Sequence, residues 1–200
     1  VGPAVPEIEV QIAEDGEIIV RGPNVFKGYY KDEEATNATL IDEWLHSGDL
    51  GAFDDEGFLT ITGRKKEIII TAGGKNIAPK NIEAALKNNP LVAQAVVIGD
   101  RRKFLSALLT IEEDAAQEYA EQNGLSVETL HEHSDVIALI QKTVDETNAL
   151  FARVEHVRKF TILARNFSVE DGELTPTLKI KRNKVNEHFE AEIEAMYSDA

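Results

Sequence analysis

Apolar and polar side chains alternate over residues 7–13, an acidic Glu14-Asp15-Gly16 turn follows, and an apolar run resumes over residues 17–21. Two short runs joined by Asp-Gly predict a hairpin, because Gly supplies the backbone conformation a tight connection needs. Gly22-Pro23-Asn24 breaks the strand, and Asp32-Glu33-Glu34-Ala35-Thr36 predicts a capped helical turn whose acids complement the helix N-terminus. A second hairpin is predicted over residues 51–63, turning at Asp54-Asp55-Glu56-Gly57. Residues 1–63 hold too few apolar side chains for a core of their own and call for another surface to pack on.

From residue 68 the periods mix. Residues 68–71 read as a short β-branched strand that ends at Gly73-Gly74. Pro79 opens a helix with Ile82, Ala85 and Leu86 on its apolar face, stopped at Asn88-Asn89-Pro90. Residues 92–98 and 106–111 read as strands separated by Gly99-Asp100-Arg101-Arg102. Helical periodicity covers residues 114–123 and 135–151; in the second, Val136, Leu139, Ile140, Val144 and Thr147 share a face. A strand over 157–163, an irregular stretch to Thr177 and a helix over 184–196 complete the chain. Strands interleaved with helices around a small sheet predict an α+β domain of about 135 residues.

Charge sharpens the division. The 200 residues carry 21 Lys plus Arg against 36 Asp plus Glu, a net charge of −15. Residues 1–63 hold three basic and fourteen acidic side chains, and residues 64–200 hold eighteen and twenty-two. The change falls abruptly at Gly63-Arg64-Lys65-Lys66, which marks a domain boundary. A polyanion repels nucleic acid and anionic lipid over most of its surface, so neither is expected as a bulk partner. Cys is absent, which excludes disulfide scaffolds, thiolate metal sites and Cys nucleophiles, and fits a reducing compartment. No apolar run approaches the roughly 20 residues of a membrane span. The first ten residues lack an initiator Met and a basic region, so they read as the interior of a longer polypeptide without a secretory signal.

Three groups of residues could carry chemistry. Basic islands stand out in the acidic chain: Arg64-Lys65-Lys66 with Lys75 and Lys80, and Lys179, Lys181, Arg182 with Lys184. Each island alone reads as a solvated face; the pair, flanked by Gly-Gly and by Pro-Thr, also suits a phosphate-bearing small ligand. Gly73-Gly74-Lys75-Asn76 lacks the spaced Gly and the Ser/Thr of a Walker loop, and a turn needing positive φ is its default reading. His46-Ser47-Gly48-Asp49, expected between two hairpin segments, could cap a turn or offer a carboxylate to a sugar diol. His131-Glu132-His133 sets its imidazoles on different sides of a helix and has no metal-ligand spacing, so no metal is expected there.

Taken in order, four strings resemble one family. Residues 16–30 (GEIIVRGPNVFKGYY), 44–51 (WLHSGDLG), 55–79 (DEGFLTITGRKKEIIITAGGKNIAP) and 174–182 (LTPTLKIKR) are similar to the C-terminal third of the adenylate-forming, AMP-binding enzymes, in the branch of long-chain fatty acyl-CoA synthetases. The resemblance covers essentially the whole chain. It implies a small mixed C-terminal α+β domain over 67–200, with a central short sheet and flanking helices, preceded by a hinge at 64–66. Residues 1–63 would be the β-rich end of a large N-terminal domain. It further implies a two-step reaction with ATP, a long-chain fatty acid and coenzyme A, the Mg²⁺ arriving on the nucleotide. Asp49 would hold the ribose hydroxyls, since a carboxylate accepts two hydrogen bonds, and Arg64 would add a ribose or phosphate contact. Lys179 would bridge the carboxylate and the α-phosphate, a role suited to an ammonium on a long stem. Lys66 would be the hinge, and Gly73, Gly74 and Lys75 would face the coenzyme A channel.

Many relatives write Ser-Gly before the mobile lysine, whereas this chain has Thr177-Leu178, the Thr-Pro-Thr form common in the long-chain branch. The family's phosphate loop, adenine motif and acyl tunnel match nothing in these residues, so the chain alone is expected to be inactive and to self-associate through its β-rich part. A cytoplasmic location is expected, with peripheral membrane contact allowed. Two alternatives stay open: an acyl-AMP ligase that loads a carrier protein, and a non-catalytic interaction module retaining the fold.

Overall fold

The computed structural model describes residues 1–198. The chain forms two compact units, Val1–Ile68 and Ile69–Ala200, of mixed α+β construction. Among the described residues, no helix is long and apolar enough to cross a membrane.

The first unit is a β-sheet. Strands β1 (Glu9–Ile12) and β2 (Glu17–Arg21) form the first hairpin, and a short helix α1 (Glu33–Thr39) follows. Asp32 caps that helix by accepting from Ala35 N–H at 2.9 Å. Strands β3 (Leu40–Ile41), β4 (Trp44–Phe53) and β5 (Leu59–Arg64) complete the sheet, with β4 pairing β2, β3 and β5, all antiparallel. His46-Ser47-Gly48-Asp49 therefore lies inside a ten-residue strand and not between hairpin segments. The local sequence imitates a turn because Gly48 has φ 73°, but breaks in the pairing register bend the strand there without reversing it. Gly51 allows the close approach of β2 and β5 to β4: a Cβ there would lie 2.7 Å from both Ile18 Cδ1 and Thr60 O. Among the described residues, Ile18 is the single buried apolar residue of this unit, while Tyr30, Phe53, Phe58 and Ile61 are exposed.

The second unit holds two hydrophobic clusters on opposite faces of a three-stranded sheet. After a two-stranded ribbon, β6 (Ile69–Ile70) with β7 (Asn76–Ile77), helix α2 (Pro79–Leu86) starts at its Pro. Strands β8 (Val92–Ile98) and β9 (Leu105–Ile111) pair antiparallel, and β10 (Val157–Ile162) adds parallel to β9. A parallel neighbour needs a long crossover, supplied by α3 (Glu113–Asn123) and α4 (Ser134–Asn148). Ala95, Val97, Leu105, Ala107 and Leu109 join α2, α3 and α4 in one cluster. Val96, Ile98 and Leu108 join the C-terminal helices in the other. Burial on both faces explains why β8 and β9 are mostly apolar, Gln94, Ser106 and Thr110 aside, rather than alternating. In α4, Val136, Ile140, Val144 and Thr147 are buried and Leu139 packs at the margin, the face expected from their spacing.

The closing helix differs from its expectation. Instead of one element over 184–196, α5 (Arg182–His188) and α6 (Glu190–Tyr197) meet at Phe189, whose φ of −112° is not helical. Phe189 turns inward instead, edge-on to Phe167 at 5.7 Å between centroids and beneath the Arg165 guanidinium at 5.0 Å.

Candidate functional site

The β4–β5 register places Asp49 opposite Arg64. Arg64 Nε donates to Asp49 Oδ1 at 2.8 Å, and this bond raises the guanidinium pKa further. Both side chains reach solvent, with 58% of Arg64 and 30% of Asp49 exposed. Oδ2 of Asp49 has no protein partner among the described residues and is open to a donor from outside.

Behind this pair stands an acid that the sequence reading missed. Glu17 is 4% exposed. Its Oε2 accepts from His46 Nδ1 at 2.9 Å and Lys65 Nζ at 3.1 Å, and its Oε1 accepts from Gly48 N–H at 2.8 Å. Burial alone would raise its pKa, but these hydrogen bonds outweigh burial and hold it below the usual carboxylate range. Ser47 Oγ donates to Ile18 O at 2.6 Å and accepts from Asp49 N–H at 3.1 Å. His46, Ser47 and Gly48 are thus tied to β2, which fixes the backbone that carries Asp49. A Glu at a strand start gives no local signal of this; only the fold brings it under residues 46–48.

Lys65 also pairs with Asp15, which raises its pKa. Lys66 is exposed in the following 3-10 turn, Lys65–Glu67, two residues before the first unit ends. Gly73, Gly74 and Lys75 lie in the β6–β7 turn of the second unit and are exposed. Gly74 has φ 71°, and its N–H donates to Thr71 O at 2.8 Å. Ala72 N–H donates to Arg102 O at 2.9 Å, anchoring the turn beside β9.

Lys179 occupies the exposed end of a small hairpin. Leu174 and Ile180 pair across it, Thr175 N–H donates to Lys179 O at 2.8 Å, and Lys179 N–H donates to Thr175 Oγ1 at 3.0 Å. Leu178 takes φ 59°, a left-handed conformation that glycine adopts without cost. The turn is therefore made by a non-glycine residue, with some strain.

Both legs of the hairpin are braced by residues the sequence reading passed over. Upstream, the Glu173 side chain is 0% exposed and receives Arg165 on both oxygens, at 2.6 and 2.8 Å. His188 Nδ1 lies 3.0 Å from Oε1, and Ser168 N–H donates to Oε2 at 3.1 Å. The Arg165 bonds, with those of His188 and Ser168, overcome burial and pull the Glu173 pKa down to about 2. The backbone oxygen of Glu173 accepts from Lys181 N–H at 2.7 Å, closing the base of the hairpin. Downstream, Arg182 pairs with Glu83 on α2 and donates to Val97 O at 3.2 Å on β8. Of the second basic island, Lys184 pairs with Glu187 at 2.6 Å on the helix surface. His133 accepts from Asp135 N–H at 3.3 Å at the start of α4.

Comparison with known proteins gives this arrangement a family. Residues 66–200 match the AMP-binding enzyme C-terminal domain. A long-chain-fatty-acid–CoA ligase of Mycobacterium tuberculosis is 48% identical over 202 residues, covering 99% of this chain and 34% of that protein. A long-chain-fatty-acid–CoA ligase of Rattus norvegicus is 40% identical, covering 92% of this chain and 29% of its own length. The chain therefore spans about a third of the length of these relatives. Among solved structures, the adenylation domain of a carboxylate reductase from Mycobacterium chelonae aligns over 98% of this chain and 31% of its own, with a TM-score of 0.77 and 26% identity. The o-succinylbenzoate coenzyme A synthetase of Bacillus subtilis, solved with AMP, aligns over 91% of this chain and 34% of its own, with a TM-score of 0.66 and 29% identity. The chain belongs to the AMP-binding, adenylate-forming enzymes, and is homologous to the C-terminal region of their long-chain-fatty-acid–CoA ligases.

Proposed function

We propose that this chain works as the C-terminal third of an ATP-dependent long-chain fatty acid–CoA ligase. In the first half-reaction a fatty acid carboxylate oxygen attacks the α-phosphorus of ATP, and pyrophosphate leaves. In the second, the thiol of coenzyme A gives up its proton and attacks the acyl carbonyl, and AMP leaves. Asp49 accepts hydrogen bonds from the ribose hydroxyls through its open Oδ2, with Arg64 at the ribose or phosphate. Lys179 supplies a positive charge between carboxylate and α-phosphate as negative charge gathers there. Residues 1–63 are the end of the large domain, 64–66 the hinge with Lys66 at its pivot, and 67–200 the mobile domain. Rotation about that hinge withdraws Lys179 and brings Gly73, Gly74 and Lys75 to the coenzyme A channel. Mg²⁺ arrives with the nucleotide. The exposed aromatic residues of the first unit fit a surface that the rest of the large domain would cover, and the isolated chain is expected to self-associate there and to be inactive.

One observation carries the substrate class: the 48% identity to a long-chain ligase runs through 99% of this chain. The test is an assay of the enzyme that contains this chain, with ATP, coenzyme A and fatty acids of graded length. Long-chain acyl-CoA with release of AMP and pyrophosphate is the expected product. Acyl transfer to a carrier protein in place of coenzyme A would favour an acyl-AMP ligase, and absence of adenylation would leave a non-catalytic module.

A further inference from the structure

Strand β8 is an edge of the three-stranded sheet, and at Val97 side chains take the place of the strand it lacks. Val97 N–H donates to Glu83 Oε1 at 2.8 Å, and Val97 O accepts from Arg182 at 3.2 Å. Arg182 closes the group by pairing with Glu83. Its planar fork reaches a carboxylate and a backbone carbonyl together, a geometry that the point charge of a lysine does not reproduce. Glu83 projects from α2 beside the buried Ile82, and its own side chain is 13% exposed. Ile82, Leu86 and Val97 share one hydrophobic cluster, so the anchor belongs to the folded body of the second unit.

Arg182 stands three residues beyond Lys179. Between them Ile180 packs against the cluster that holds Leu174, and Lys181 N–H donates to Glu173 O at 2.7 Å. Beyond that base the hairpin is exposed over Pro176 to Lys179, and among the described residues its hydrogen bonds run within 175–179. The tip therefore goes where its two legs point. The acids at those legs, Glu173 and Glu83, are each taken by an arginine, Arg165 upstream and Arg182 downstream. Three extended residues span about 10 Å, so a tilt of about 6° at Arg182 displaces Lys179 by about 1 Å. A misplacement of about 1 Å at a reacting group can cost about 10²-fold in rate.

We propose that Glu83 is a positioning residue for adenylation: acting through Arg182, it sets the downstream leg of the hairpin and with it the place of the Lys179 ammonium. The proposal rests on the reading of Lys179 as the lysine of the first half-reaction. Its effect falls on one half-reaction because the lysine serves in one. Asp49 and Arg64, read as the nucleotide contacts, are carried by the first unit, so affinity for ATP does not depend on this clamp.

The test uses the whole ligase with Glu83→Gln, alone and combined with Lys179→Ala. Glutamine keeps an acceptor for Val97 N–H and removes the charge that meets Arg182, so β8 stays held while the downstream leg is freed. With the upstream leg still fixed by Glu173, kcat for ATP–pyrophosphate exchange should fall about 10-fold, short of the full cost of a misplaced group. KM for ATP, and attack of coenzyme A on a supplied acyl-adenylate, should stay near their wild-type values. In the Lys179→Ala background the Glu83 substitution should cost exchange nothing more, because its route to the chemistry is already gone. Partial unfolding would lower both half-reactions alike. Equal losses in the two, an unchanged exchange rate, a change confined to KM for ATP, or a further loss beside Lys179→Ala would each overturn the proposal. Should Glu83→Gln fail to fold, Arg182→Lys takes its place, since lysine keeps the charge and loses the fork. Slower exchange with coenzyme A attack spared is expected there as well, and equal loss or none would overturn the proposal. Exchange that survives Lys179→Ala undiminished would defeat the functional reading itself, whereas exchange that needs Lys179 and is indifferent to Glu83 and Arg182 defeats the clamp alone.

Discussion

Replacing Glu173 by Gln tests how the lysine hairpin is held. The substitution keeps the volume of the side chain and removes the charge that meets Arg165 and His188. Glu173 has a pKa of about 2 against an ordinary 4.5, and each pKa unit is worth about 1.4 kcal/mol, so ionisation in place stabilises the fold by about 3 kcal/mol. Breaking a fully buried ion pair costs roughly 3–5 kcal/mol, and with the Arg165 side chain 46% exposed this pair belongs at the lower end of that range. Because the folded pKa is the depressed one, the stabilisation is complete above pH 4.5 and is lost as pH falls towards 2. Urea unfolding of the chain and of E173Q, followed by far-UV circular dichroism, should give a difference of about 3 kcal/mol at pH 7. The difference should shrink as pH drops from 4.5 towards 2, while effects of other carboxylates cancel between the two proteins. A difference below about 1 kcal/mol at pH 7, or one that does not change on acidification, would refute the bracing role of this carboxylate.

Leu178→Gly should be neutral or stabilise the chain by up to about 1 kcal/mol. It relieves the left-handed strain, while little burial is lost from a side chain 69% exposed; a clear fall in urea midpoint would contradict that reading of the turn. Lys66→Pro in the whole ligase should slow thioester formation and spare pyrophosphate exchange, because a fixed φ at the pivot hampers rotation without touching the adenylation contacts. Unchanged thioester kinetics would remove Lys66 from the hinge.

Local pattern revealed most of the strands and helices because their residues pack where their period points. The faces of α2 and α4 and the two apolar strands β8 and β9 are of this kind. The reading failed where tertiary contacts decide. His46 to Asp49 looks like a turn, yet hydrogen bonds to Glu17 and Ile18 hold it within β4. The helix over 184–196 is periodic enough to be continuous, but Phe189 leaves helical geometry as it packs against Phe167 and Arg165. Glu17 and Glu173 are charged residues of a kind usually exposed, and nothing local reveals that each is buried under several donors.

The central claim is that Lys179 acts in adenylation and then withdraws. The measurement that tests it most directly compares the two half-reactions in the Lys179→Ala variant of the whole ligase. ATP–pyrophosphate exchange should fall about 10²–10³-fold, the usual cost of losing one preorganised transition-state charge contact. Attack of coenzyme A on a supplied acyl-adenylate should stay near the wild-type rate. Equal loss in both half-reactions would contradict the account.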